Sequence, residues 1–127
     1  MSRAILDASA LLALLFQETG GEAVVEHLPG SLLSAVNLSE VVCKNIERGM
    51  TPEEASEVLA EFPCEVVAFD HEFAFLAAAL RMPTRSHGLS LGDRACLALG
   101  LKTGFPVVTA DRQWAGCGLN VKIIPIR

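Results

Sequence analysis

At 127 residues the chain has the length of one domain, predicted to span 1–127, and a domain of that size buries about two-thirds of the surface its unfolded chain exposes. A composition that is 51% apolar, with mean hydropathy +0.42, one Trp and no Tyr, excludes a disordered or fibrous chain and predicts an interior of Leu, Val, Ile and Ala. A net charge of −5 argues against a nucleic-acid partner, except that four acids singled out below carry most of it and bound divalent cations would reverse the local sign.

Arg3 to Leu6 reads as a short buried strand, after which Asp7-Ala8-Ser9 leads into an apolar helix from Ala10 to Gln17, closed by Gly20-Gly21. A second, short helix covers Glu22 to Leu28 and ends at Pro29-Gly30. Ser31 to Ala35 is predicted as strand two, and Asn37-Leu38-Ser39-Glu40 has the form of an N-cap with an acid at N3, starting a helix to about Arg48. Thr51-Pro52-Glu53-Glu54 places threonine at N-cap, proline at N1 and acids in the first turn of a helix running to about Phe62. Cys64 to Phe69 is strand-like, and Asp70 opens a helix to about Arg81. Met82 to Leu89 reads as a loop, and Ser90-Leu91-Gly92-Asp93 starts a helix to about Lys102, ended by Gly104-Phe105-Pro106. Val107 to Thr109 is a short central strand, Asp111 to Ala115 about one helical turn, and Val121 to Ile124 the last strand. Strands alternating with helices predict a three-layer α/β/α domain with a largely parallel sheet of about five strands.

The cysteines Cys43, Cys64, Cys96 and Cys117 form no C-x-x-C pair, which leaves neither a zinc ribbon nor a thioredoxin-type motif and predicts reduced thiols. The longest apolar stretch near the start, Ala10 to Phe16, is far short of the ~20 residues a membrane span needs. No signal peptide or anchor is evident, so the expected compartment is the cytosol, away from any membrane.

Asp7, Glu40, Asp93 and Asp111 each sit where an apolar or β-like run hands over to a helix-like run. In a parallel α/β sheet such handovers lie along the carboxyl edge of the strands, where open sheets bind ligands. Taken singly, each acid has an ordinary role in capping or in offsetting a helix dipole, and Asp70 is assigned only that role. Taken together, four carboxylates without His or Cys would repel one another unless a hard cation such as Mg²⁺ or Mn²⁺ joined them. One or two such ions would activate water for in-line attack on phosphorus, giving phosphodiester hydrolysis without a covalent intermediate. Ser9 lies two residues after Asp7 and Thr109 two before Asp111, so either hydroxyl can steady a carboxylate or can serve only the local backbone. Arg94 and Arg112 each follow an acid, and Arg85 lies in the locally basic segment Arg81 to His87; all three are candidate RNA contacts, with a solvated face or an ion pair as the alternative. His27 and His71 are assigned to the surface, and His87 shares the basic segment.

Ile5-Leu6-Asp7-Ala8-Ser9-Ala10-Leu11-Leu12, Asn37-Leu38-Ser39-Glu40-Val41, Leu89-Ser90-Leu91-Gly92-Asp93-Arg94-Ala95-Cys96-Leu97-Ala98 and Val108-Thr109-Ala110-Asp111-Arg112 together resemble a PIN-domain protein of the VapC toxin type. The resemblance runs from Ile5 to the final strand. It implies a Mg²⁺- or Mn²⁺-dependent endoribonuclease whose catalytic, metal-binding acids are Asp7, Glu40, Asp93 and Asp111, with Asp7 and Asp93 as direct ligands and Asp111 acting through water. It further implies a homodimer or larger assembly held inactive by a small VapB-like antitoxin, which alone contacts operator DNA.

Two other function classes remain open at this level. A phospho-receiver module has similar length and acids at one sheet edge, but it would carry an acidic pair after the first strand, a phospho-accepting Asp after the third and a Lys near the end of the fifth. Asp7 has no acidic neighbour, only Asp70 follows Cys64 to Phe69, and Lys122 lies early in its strand. The other class is a PIN fold used for binding alone, its acids serving as helix caps.

Overall fold

The computed structural model describes residues 3–127, and its strands join in one sheet whose pairings are all parallel. β1 (Ile5–Leu6), β2 (Ser31–Ser34), β3 (Cys64–Val67), β4 (Val107–Thr109) and β5 (Ile123–Pro125) lie in the order β3-β2-β1-β4-β5. Parallel neighbours need crossovers. These come from α1 (Ala8–Leu15), α2 (Ala35–Glu47), α3 (Pro52–Ala60), α4 (His71–Ala79) and α5 (Leu91–Thr103), with 3-10 turns at Gly21–His27, Arg85–His87 and Arg112–Gly116.

Successive residues of a strand point to opposite faces, and the core divides accordingly. Ile5 stands beside Leu32 and Val107, and these three face Ala77 of α4, Leu97 and Ala98 of α5, and Trp114. Leu6, Leu33 and Val108 face the other way, against Ala10 and Leu11 of α1, Val24, and Val41 of α2. Each fully buried aliphatic side chain contributes about 1.5–3 kcal/mol of transfer free energy, so both faces of the sheet must be covered. The expected three-layer α/β/α architecture with a parallel five-stranded sheet is what the chain adopts.

Local signals set most helix starts. Thr51 and Glu54 close a capping box ahead of α3, with Pro52 at its first position, and Ser90 and Asp93 close another ahead of α5. Gly104 ends α5 with φ +77, a conformation that disfavours a Cβ. The helix expected to be capped by Asn37 begins earlier. Ser34, the last residue of β2, caps α2 by accepting from Val36 N at 3.2 Å, which carries Asn37 into the first turn and Glu40 into the second. The expected loop from Met82 to Leu89 contains the Arg85–His87 turn, anchored by buried Thr84, whose hydroxyl donates to the Leu80 carbonyl at 2.6 Å. The final strand lies two residues later than its expected start, at Ile123–Pro125. All four cysteines are free thiols, and among the described residues no helix is long and apolar enough to cross a membrane.

Candidate active site

The strand order reverses between β1 and β4, and a doubly wound sheet opens a crevice outside the carboxyl ends of the strands at such a point. Asp7 follows β1 directly and Thr109 ends β4, so both stand at that crevice. Asp7 is 5% exposed, and its Oδ2 accepts from the Ser9 hydroxyl at 2.5 Å and the Thr109 hydroxyl at 3.0 Å. Each hydroxyl oxygen in turn accepts a backbone N–H, Ser9 from Ala110 and Thr109 from Asp111, both at 3.0 Å. The amides fix the hydroxyls as acceptors on one side, so their protons are directed at the carboxylate. Thr109 thus reaches across the sheet to Asp7 instead of steadying the side chain of Asp111.

Burial raises the Asp7 pKa from 3.8 to about 6; the two hydroxyl bonds pull it back, and the carboxylates of Asp93 and Glu40 push it up further. The field of Glu40 and Asp93 at Asp7 places three of the four expected acids around one crevice. Cys96, on α5, is wholly buried in the core; desolvation first, then Asp7, Asp93 and Glu40, hold its thiol well above the usual range.

Glu40 arrives from the second turn of α2, not from a strand-to-helix junction. Asn37, one turn earlier and fully buried, donates through Nδ2 to Glu40 Oε1 at 2.8 Å and to the Gly92 carbonyl at 3.1 Å. A Cβ on Gly92 would overlap the Glu40 carboxylate, so the glycine is what lets α5 approach it. Asn37 and Gly92 were not singled out from sequence. The i, i+3 spacing of Asn37 and Glu40 on one helix face was the available signal, obscured by reading Asn37 as a cap.

The remaining acids are bound locally. Asp93 Oδ2 accepts from Ser90 N at 2.9 Å, and exposed Asp111 accepts through Oδ1 from Gln113 N at 2.9 Å. Asp111 shares the sheet edge without adding to the field at Asp7. Among the described residues no three His, Cys, Asp or Glu side chains stand closed around a metal position. The second oxygen of each carboxylate is left for another partner.

Of the expected RNA contacts, Arg94 turns toward α4: its Nη1 donates to the Ala77 carbonyl at 3.0 Å and its Nε is buried, which ties α5 to α4. Arg85 folds onto its own turn through the Met82 carbonyl at 3.0 Å, and exposed Arg112 donates through Nε to the Arg127 carbonyl. His27 lies beside Glu26 and His71 against Phe75, away from the acids.

The sequence profile of the PIN domain matches residues 4–117. The chain belongs to the PIN-domain family. Similar solved structures include a toxin-antitoxin complex from Klebsiella pneumoniae, at TM-score 0.76 and 17% identity over 98% of each chain. DNA-bound VapBC from Salmonella typhimurium aligns over the whole of both chains at TM-score 0.74 and 19% identity. A VapC toxin from Mycobacterium tuberculosis, described as cleaving the sarcin-ricin loop, aligns at TM-score 0.72 and 15% identity over 94% of this chain and 98% of its own. No curated protein matches the chain at a significant level.

The PIN topology excludes the receiver fold, whose strand order 2-1-3-4-5 puts its switch point between β1 and β3 instead of β1 and β4. In this PIN crevice Asp7, Glu40 and Asp93 could hold a divalent metal. Their donors are all oxygen, which suits Mg²⁺ or Mn²⁺, and a cation beside Asp7 would offset both the burial that raises its pKa and the repulsion from Asp93 and Glu40.

Proposed function

We propose that this PIN-domain chain is a metal-dependent endoribonuclease that hydrolyses RNA phosphodiesters, acting as the toxin of a toxin-antitoxin pair in the cytoplasm. The observation that supports it most is Asp7, buried at the switch point between two oriented hydroxyls and within the field of Glu40 and Asp93. Bound there, one or two Mg²⁺ or Mn²⁺ ions would supply the Lewis acidity that makes water nucleophilic toward phosphorus.

The chain's own residues do the rest. Asp7 and Asp93 act as the direct metal ligands, with Glu40 completing the set and Asp111 reaching the site through water. Ser9 and Thr109 hold Asp7 in one rotamer, and Asn37 holds Glu40 against α5. Residues 1–127 act as one domain, in a homodimer or larger assembly, with a small VapB-like antitoxin that blocks the crevice and contacts operator DNA for the complex. The fold shared with toxin-antitoxin complexes supports that partnership.

The test is RNA cleavage by the purified protein with Mg²⁺ or Mn²⁺. Asp7→Asn and Asp93→Asn are each expected to abolish cleavage and growth inhibition while the circular-dichroism spectrum stays that of the parent; full activity in either variant refutes the assignment. The capping bonds of Asp93 and Asp111 favour a second reading, a PIN fold that only binds a partner. Calorimetry that detects no Mn²⁺ binding at neutral pH would select it.

A further inference from the structure

The ribonuclease reading leaves unexplained how a chain of net charge −5 holds a polyanion. Two clefts flank the Asp7 crevice. One is lined by Ser9, Phe16, Lys44 and Arg48, the other by Ala110, Arg112 and Arg127, and Glu18 lines both. They meet at the crevice: both are lined by Glu18, and Ser9 of the first accepts from Ala110 N of the second and donates to Asp7. Four of the ten Lys and Arg residues are therefore gathered beside the acids. The opposing charges there are weakly placed: Glu18 is 3.6 Å from Arg127, and Glu47 is 3.4 Å from Lys44 with both side chains 58% exposed.

Glu40 and Lys44 on α2 and Arg48 at its C-cap follow one another at four-residue steps, a stripe about 12 Å long that leads from the acids to the cations. At its end the Arg48 guanidinium lies 3.8 Å from the centroid of the Phe16 ring. Stacking occupies the planar face of the guanidinium and leaves its N–H edge for phosphate, and an aromatic–guanidinium pair is a platform on which an unpaired base stacks.

We propose that the Phe16, Lys44 and Arg48 cleft is a binding subsite for single-stranded RNA, which crosses the Asp7 crevice and leaves past Arg112. This rests on the ribonuclease reading. An acidic protein segment is the competing occupant, but the shared Ser9 joins the cleft to the hydrolytic crevice, and the stacked aromatic suits bases better than carboxylates.

Fluorescence anisotropy with a short labelled single-stranded RNA, in an Asp7→Asn background so that nothing is cut, reads binding alone. Lys44→Ala and Arg48→Ala are each expected to weaken binding about five- to tenfold at low salt and to lower the slope of log K against log salt by about 0.7. Phe16→Ala is expected to weaken binding at least about fivefold with the slope unchanged, and Phe16→Leu replaces it if the alanine variant does not fold. Arg48→Lys is expected to keep the salt slope and lose part of the affinity. Lys122→Ala, exposed and outside both clefts, serves as the control. If the parent cuts RNA while Lys44→Ala and Arg48→Ala bind and cut it equally well, the subsite is refuted and the ribonuclease reading survives. If these variants lose RNA binding but the metal-loaded parent cuts nothing, the subsite stands and the catalytic reading falls. Loss of binding to a poly-glutamate peptide with RNA binding intact assigns the cleft to a protein partner and overturns the proposal.

Discussion

Asp7 is held by forces that move its proton in opposite directions, with burial and the neighbouring carboxylates outweighing two hydroxyl bonds. The folded chain therefore binds that proton more tightly than the unfolded one, whose aspartate titrates near 3.8. Below that pH the side chain is neutral in both states and costs nothing. As pH rises toward about 6 the cost grows, and above it the metal-free protein carries a penalty of about 3 kcal/mol. Asp7→Asn, which keeps an acceptor for Ser9 and Thr109, should raise metal-free stability by roughly 1–3 kcal/mol at pH 7.5 and by about 0.5 kcal/mol near pH 4. Denaturant midpoints in EDTA measure this, and an increment equal at both pH values contradicts it. The identity of Asp7 was legible from its place after an apolar run. Its two hydroxyl partners were legible only as neighbours in sequence, since Thr109 reaches it across 102 positions.

Element starts were readable where a single local pattern decided them. The Thr51/Glu54 and Ser90/Asp93 capping boxes are of this kind, each closed within four residues. The start of α2 was not, because Ser34 and Asn37 are both good caps three residues apart. The choice was made by strand pairing: Ser34 is held in register opposite Val67 of β3, so the helix starts directly after it. That displacement matters to the crossing of α2 and α5, where Asn37 grips both Glu40 and the Gly92 carbonyl. Gly92→Ala tests the crossing. The atoms nearest the methyl would be those at the flexible end of Glu40, so the side chain swings out and the fold survives, helped by the better helix propensity of alanine, about 1 kcal/mol. The expected outcome is a melting temperature within a few degrees of the parent together with at least about a tenfold loss of cleavage, on the order of 1.4 kcal/mol. Unfolding, or unchanged cleavage, would contradict it.

At the scale of the molecule, alternation of strands and helices made the parallel α/β class legible, but not which strands are neighbours, because pairings such as β1 with β4 join residues about 100 positions apart. The gathering of acids from β1, α2 and α5 depends on that order, and so does the gathering of Lys44, Arg48 and Arg112 from remote segments. Whole-chain charge hid it, since a sum carries no position. The burial of Asp7 beside the carboxylates of Asp93 and Glu40 also predicts how the whole protein answers to metal. Mg²⁺ or Mn²⁺ at about 100 times its dissociation constant should stabilise the parent by about 2.7 kcal/mol, and Asp7→Asn far less. Thermal melting with and without EDTA reads this without reference to activity, and equal shifts in both proteins would exclude Asp7 as a ligand.

The central strand β1 comes first in the chain, and its partner β4 comes near the end. Translation adds about 5–20 residues per second, so a ribosome that has made Asp7 needs roughly 5–20 s more to supply Thr109 and the Ala110 amide. Throughout that interval β1 has no β4 to pair with, and the Asp7 carboxylate has neither its second hydroxyl nor the amide that orients Ser9. A nascent chain, or any fragment cut short of β4, carries Asp7, Glu40 and Asp93 without the crevice. The surroundings that hold Asp7 in place are therefore assembled only after β4 and the residue that follows it have been made.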